Sequence, residues 1–295
     1  MTFKTIILRR TGMGKIIGLV NQKGGAGKSS ITNALSNEFS RRGYRVLVVD
    51  YDPQGTQTML FGFNRLSEFS DTEHDITNIF NGKDLKPINV KENLDLIPAN
   101  QGLREEAESG RMGKELVLLN FLKGGFGKKG LAEEYDMIFI DSPADSGALT
   151  VGTIASSDYI LIPTRLTFVD STGLVGTLQT VIQAVMTFRL DLSILGFIPV
   201  AYKPRLKEHK DVLASLKQTI PQILGRYDFI KIASEDLFFD PINDRIAWAE
   251  AAGKRISIRD YIEKEKKGQK DIIYTVEKIT DEIIRRTLIL SELTV

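Results

Sequence analysis

A lysine- and glycine-rich turn between an apolar run and a helix constrains this chain more than any other stretch. Ile16-Ile17-Gly18-Leu19-Val20 has the character of a buried strand. Asn21-Gln22-Lys23-Gly24-Gly25-Ala26-Gly27-Lys28-Ser29-Ser30 follows, and helix-compatible sequence resumes from Ser29. Strand, turn and helix in that order are what a phosphate-binding loop needs before a motif match counts. Glycines let successive backbone N–H groups turn toward one anion, because no Cβ blocks the approach. The helix start adds unpaired N–H groups and the positive end of its dipole. Lys28 supplies a mobile charge for outer phosphates, and the Ser29 hydroxyl suits a magnesium ion. Gly24, Gly25, Ala26, Gly27, Lys28, Ser29 and Ser30 are therefore the candidate nucleotide-binding residues.

The rest of the chain alternates buried strands with helices. Ser30 to Arg42 reads as a helix with Ile31, Leu35 and Phe39 on one face. Arg45–Asp50, Met137–Asp141, Tyr159–Pro163 and Ile194–Ile198 are near-continuous apolar runs, as in strands covered on both faces. Ser171 to Phe188 is helical in pattern. The expectation is an α/β fold with a doubly wound, mostly parallel sheet flanked by helices, its ligands lying at the carboxyl ends of the strands. Three of those ends carry chemistry: the loop, then Asp50 and Asp52, then Asp141. Between residues 64 and 134 the pattern is less regular. Asp75 to Phe80 reads as a short helix, Leu94 to Pro98 as an added strand and Gly102 to Leu122 as a longer helix. Asp271 to Leu290 is an amphipathic last helix. One domain is expected over 1–295, with a short leader at 1–14, a nucleotide-binding core at 15–260 and a helical segment at 261–295.

Composition narrows the classes. With 295 residues, 42% hydrophobic and 26% charged, the chain can bury one large core. A net charge of +1 makes any nucleic-acid surface a local one. Without cysteine there are no disulfides, thiolate metal sites or cysteine-ligated clusters, which fits a reducing cytosol. No apolar run approaches the roughly 18 residues of a membrane span. Met1 to Gly14 is basic but has no apolar signal region, and reads as a cytosolic leader. Two stretches imitate the loop. Lys123-Gly124-Gly125-Phe126-Gly127-Lys128-Lys129 follows a helix and has lysine where a hydroxyl is needed, so it reads as a basic connection. Thr11-Gly12-Met13-Gly14-Lys15 precedes the first strand and fails for that reason.

Lys23-Gly24-Gly25-Ala26-Gly27-Lys28-Ser29 has Gln22 where the general phosphate-loop pattern has glycine. It resembles the deviant Walker A motif, K-G-G-x-G-K-[ST], of the ParA/MinD family of P-loop ATPases. The resemblance implies that Lys23 reaches across a dimer interface to the partner's nucleotide. Asp50-Tyr51-Asp52-Pro53-Gln54-Gly55 resembles that family's D-x-D-P-Q-G segment, in which Asp52 would act on the attacking water and Asp50 support the magnesium shell. Asp141-Ser142-Pro143 resembles the Walker B and switch segment, with Ala144 in place of a second proline. Lys23, Lys28 and Asp52 are thus the candidate catalytic residues, and Ser29, Asp50 and Asp141 the candidate metal ligands. Asp145 is a further switch residue. Pro241-Ile242-Asn243-Asp244-Arg245 resembles the stretch that places Pro241 and Asn243 near adenine, with Trp248 departing from the usual glutamate. Lys203, Arg205, Lys207, Lys210, Lys254 and Arg255 are candidates for one DNA-facing surface, with Arg259 beside them.

What the resemblance implies is a cytoplasmic, nucleoid-associated partition ATPase of the short-leader kind, without an amino-terminal helix-turn-helix, using ATP and Mg2+. ATP would drive a sandwich homodimer that binds double-stranded DNA without sequence preference. A ParB-like centromere-binding protein would stimulate hydrolysis and release. The alternative is a MinD-like, membrane-cycling positioning ATPase. Arg285 to Leu290 hints at an amphipathic tail, but Glu292 and scarce lysine count against a membrane contact. A nitrogenase iron-protein type is excluded, since its cluster needs cysteine.

Overall fold

Five residues, Lys15–Leu19, form β1, and the sheet is laid out to both sides of it. In this computed structural model residues 14–64, 66–125, 129–265 and 269–292 are described. The further strands are β2 (Val46–Asp50), β3 (Ile88–Lys91), β4 (Leu94–Ile97), β5 (Met137–Asp141), β6 (Tyr159–Arg165), β7 (Ser193–Val200) and β8 (Lys231–Ile232). The helices are α1 (Lys28–Arg41), α2 (Thr56–Leu60), α3 (Gly102–Glu108), α4 (Val117–Lys123), α5 (Ala148–Ser156), α6 (Phe168–Phe188), α7 (Lys207–Leu224), α8 (Ile246–Lys254), α9 (Ile258–Glu265) and α10 (Lys270–Glu292). Strand order is β3-β4-β2-β5-β1-β6-β7-β8, and every pairing is parallel except β3 with β4. The chain leaves β1 toward β2 on one side and later returns to β6 on the other. That reversal sets the crevice above β1, where open α/β sheets hold ligands.

Alternation along the strands sorts the core into two layers. Ile17, Leu19, Val46, Val48 and Phe139 face Ile31, Leu35 and Phe39 of α1 and Ile279 and Ile283 of α10. Their sequence neighbours Ile16, Leu47, Val49, Ile138 and Ile140 face Leu118, Leu122 and Leu149 on the opposite side. Beyond β1, Ile160, Ile162 and Ile194 pack against Leu174, Leu178 and Val181 of α6 and Leu216 and Ile220 of α7. Each such side chain contributes about 1.5–3 kcal/mol by leaving water.

Ions tie the last helices to this frame. Glu38 on α1, its side chain 1% exposed, is paired with Arg41 at 2.6 Å, Arg42 at 2.8 Å and Arg259 of α9 at 2.9 Å. Burial pushes Glu38 up, but the bonds from Arg41 and Arg42 outweigh it and hold the carboxyl below its ordinary value. Arg286 of α10 is buried, donates to the Leu195 carbonyl at 2.7 Å and lies 4.1 Å over the Phe239 ring.

One stretch departs from the expected helix. Gly102 to Leu122 is not one helix: α3 ends at Glu108, and α4 begins at Val117. Ser109 turns extended (φ −60°, ψ 152°), and Gly113 adopts a left-handed φ of 72° that a helix cannot continue through. Asp75 to Phe80 is helical as expected, as a 3-10 turn over Ile76–Asn81, and Leu94–Ile97 is the expected strand. β3 and β8 are additions at the two edges. Residues 1–13 of the leader, 126–128 of the imitation loop and 266–268 lie outside the described residues.

Candidate active site

The loop after β1 is held from both flanks. Asn21 donates from Nδ2 to the Pro163 carbonyl at 2.7 Å and accepts the Lys23 amide at 2.8 Å. The Gln22 amide donates to Thr177 Oγ1 at 3.2 Å, and Gln22 Nε2 donates to Thr180 Oγ1 at 2.5 Å. Gln22, which stands where the general motif has glycine, therefore anchors the loop to α6. Gly25 (φ 71°) and Gly27 (φ 86°) take left-handed conformations that cost an L side chain about 1–2 kcal/mol. Gly27 also caps α1, and no side chain occupies the helix start there. Its first amides are left for a ligand.

Lys28, 7% exposed, donates from Nζ to the Asn21 carbonyl at 2.9 Å. Burial lowers its pKa, while Asp141, Asp52 and Asp145 pull it back toward the charged form. Asp50 and Asp141 end β2 and β5 side by side, both fully buried. Thr58, on α2, donates both its amide and its hydroxyl to Asp50 Oδ2 at 2.7 Å. Asp50 Oδ1 and both oxygens of Asp141 have no hydrogen-bond partner of ordinary geometry. Burial raises Asp50 far above the carboxylate range, with Asp141 adding repulsion. Burial likewise pushes Asp141 up to about 7, against the pull of the Ser29 hydroxyl, the Lys28 ammonium and the Gln57 amide. Asp52 accepts the Gln54 amide at 2.9 Å, and burial raises it in spite of that bond and of Lys28.

Lys28, Ser29, Asp50, Asp52 and Asp141 thus converge at one crevice. Unpaired carboxylate oxygens beside a hydroxyl are donors that a hard divalent cation prefers, so the residues fit a magnesium ion. Ser142 donates to the Leu19 carbonyl at 2.7 Å and ties the segment after β5 to β1. Asp145 is exposed and accepts from the Gly147 amide at 2.8 Å and Thr150 at 3.1 Å. Lys23 is half-buried on the rim, its Cδ 3.9 Å from where a Cβ on Gly173 would stand. Gly24 is exposed on the same rim, Ala26 is buried and Ser30 is half-buried in the first turn of α1. Pro241 and Asn243 reach this end through the Ile242 amide on the Pro199 carbonyl (2.8 Å) and the Tyr202–Asn243 bridge.

Three participants escaped the sequence reading. Gln57 is fully buried, donates to the Ser29 carbonyl and has no partner for its Oε1. Thr58 holds Asp50, and Asn21 receives Lys28. Only the position of Gln57 and Thr58 just past the acidic segment signals them.

The basic candidates divide into two groups. Lys203 is paired with Asp244 at 3.2 Å, while Arg205, Lys207 and Lys210 are exposed. Lys254 is paired with Glu265 and lies 5.6 Å over the Tyr261 ring, and Arg255 donates to Asn64. Arg259 belongs to the Glu38 network. A cavity of 460 Å3 lined by Val117, Phe121 and Leu131 among others takes none of the site residues in its wall. Among the described residues no helix is long and apolar enough to cross a membrane.

With this geometry in place, the likeness to known proteins is specific. The profile of the AAA domain family matches residues 14–194. The sporulation initiation inhibitor protein Soj of Bacillus subtilis is 30% identical over 84% of this chain and 92% of its own length. The chromosome-partitioning ATPase Soj of Thermus thermophilus is 27% identical over 82% and 86%. Apo McdA of Cyanothece superposes with a TM-score of 0.73 at 23% identity, covering 91% of this chain and 99% of McdA.

Proposed function

This chain belongs to the AAA domain family and is an ATPase of its ParA-type partition group, and from that premise we propose that it uses a nucleotide-driven homodimer to hold and release double-stranded DNA. The observation that carries the proposal is the crevice above β1. A buried Lys28 lies beside two buried carboxylates, of which Asp50 Oδ1 and both Asp141 oxygens have no hydrogen-bond partner, next to a helix start without a side-chain cap.

ATP is the substrate this crevice suits. The loop amides and Lys28 bind its outer phosphates, and Ser29 and Asp141, with Asp50 behind them, would hold Mg2+. Bound magnesium would offset negative charge on the phosphates. Asp52 orients the water and takes its proton; burial helps by raising its pKa toward neutrality. Pro241 and Asn243 border the base. Lys23 makes no ion pair among the described residues, which leaves its ammonium free for a second copy. Arg205, Lys207 and Lys210 supply charge for phosphates of a duplex, placing the protein on the nucleoid in the cytoplasm. A ParB-like centromere-binding protein is the expected stimulating partner.

The test is binding of a nonspecific duplex with ATP, with ADP and without nucleotide. Binding with ATP alone is the expected result, and equal binding in all three states would refute the cycle. Asp52→Ala should trap the ATP-bound dimer on DNA with little turnover, read by light scattering and phosphate release. Wild-type hydrolysis would remove Asp52 from its role.

A further inference from the structure

β6 climbs higher than its neighbour. It pairs with β1 only as far as Leu19 opposite Leu161, then continues beside β7 to Arg165 opposite Val200. Four further residues at roughly 3.3 Å each carry it about 13 Å past that last β1 pairing. Val200 lies against the loop, 3.4 Å from where a Cβ on Gly27 would stand. Arg165, the one exposed residue of β6, lies against it as well. A Cβ on Gly25 would meet Arg165 Cζ and Nη2 at 3.9 Å.

That guanidinium forms no hydrogen bond or ion pair among the described residues. Arg41, Arg42, Arg259 and Arg286, by contrast, are each tied to a carboxylate. The acids in the first turns of α6 and α7 are engaged elsewhere. Asp170 accepts the Thr167 hydroxyl at 2.7 Å, and Glu208 accepts the Phe168 amide at 3.2 Å. A planar fork of five donors, set on the rim of a phosphate loop with no internal acceptor, is suited to bidentate contact with phosphate oxygens.

We propose that Arg165 contacts the outermost phosphate of the nucleotide held by its own loop. There it stabilises the charge that builds as the terminal phosphorus leaves the β–γ bridging oxygen. The bridging oxygen keeps the electron pair, water oxygen bonds to phosphorus, and the water proton passes to Asp52. This rests on the nucleotide reading above and adds a cation that no motif marks.

Binding of a labelled, non-hydrolysable ATP analogue and of ADP, followed by fluorescence anisotropy on the full chain at high dilution, tests it. Arg165→Ala should weaken the ATP analogue about tenfold or more while ADP changes by less than about twofold, the discrimination expected of one charge-assisted contact to the last phosphate. Arg165→Lys should fall between, keeping the charge and losing the fork. The unfolding midpoint should not move, because the side chain is exposed. Unchanged analogue affinity in Arg165→Ala would overturn the assignment, as would equal loss for both nucleotides. A loss confined to concentrations at which the chain self-associates would also overturn it, moving the contact to a second copy. Failure of the wild-type chain to bind either nucleotide would remove the nucleotide reading itself.

Discussion

Lys28 donates to the carbonyl of Asn21 and is flanked by Asp52 and Asp141, so its ammonium serves the protein's own electrostatics as well as any phosphate. Lys28→Ala should therefore lower ATP affinity by about a hundredfold or more, the scale of one lost charged hydrogen bond of ~3 kcal/mol. Calorimetry checks this, and an unchanged affinity would refute the role. Asp141 gives a second prediction. Its folded pKa of about 7 stands above the ordinary 3.8, so between those values the folded chain holds a proton that the unfolded chain has lost. That contribution to stability is present in full below about pH 4 and is lost as pH rises through 7. Free of nucleotide and magnesium, the protein should show a melting temperature falling from pH 5 to pH 8, and Asp141→Asn should flatten the slope. An equal slope in the variant would show that the carboxyl does not titrate there. Lysines, glycines and acids of the crevice were legible because each stands in a motif with a fixed spacing from a strand end. Gln57, Thr58 and Arg165 were not, since only the folded chain shows what their side chains face.

Whole elements were legible where burial is two-sided. β2 and β5 are buried at every position, and a run of four apolar residues closed by an aspartate has few other solutions. β3 alternates half-buried and exposed residues with a shift in register between Asn89 and Lys91, so its sequence carries no such signal. Gly102 to Leu122 misled for a related reason: Leu103, Leu118 and Leu122 are all buried, as one helix would require, yet two helices supply them. The 3-10 turn after Asp75 depends on its cap. Asp75 Oδ1 accepts the Thr77 amide at 2.9 Å, the Thr77 hydroxyl at 2.7 Å and Asn100 Nδ2 at 3.0 Å, and Oδ2 accepts the Asp71 amide at 2.9 Å. Asp75→Ala should cost about 1–2 kcal/mol, the range for a lost cap, and lower the urea midpoint without altering nucleotide affinity. Loss of nucleotide binding at unchanged stability would mean that this segment communicates with the crevice.

At the scale of the molecule, a net charge of +1 forbids a general attraction to DNA, so the arrangement of cations has to decide where a duplex lies. Lys203 stands at the start of the first basic group and Lys254 and Arg255 at the end of α8, which at nine residues and 1.5 Å each spans about 13 Å. The α8 end is already engaged: Lys254 with Glu265 and the Tyr261 ring, Arg255 with Asn64. Moving those two cations onto phosphate means breaking contacts first, whereas Arg205, Lys207 and Lys210 on the exposed entry to α7 have none to break among the described residues. Each phosphate neutralised adds about 0.9 to the slope of log affinity against log salt. Replacing Arg205, Lys207 and Lys210 by glutamate should therefore lower that slope by about 3 in the ATP state and leave ATP hydrolysis without DNA unchanged. Lys254→Glu with Arg255→Glu should lower it by less. The reverse ranking, measured on the same duplex across the same salt series, would put the DNA on the α8 end and make its ion pairs a latch that opens on contact.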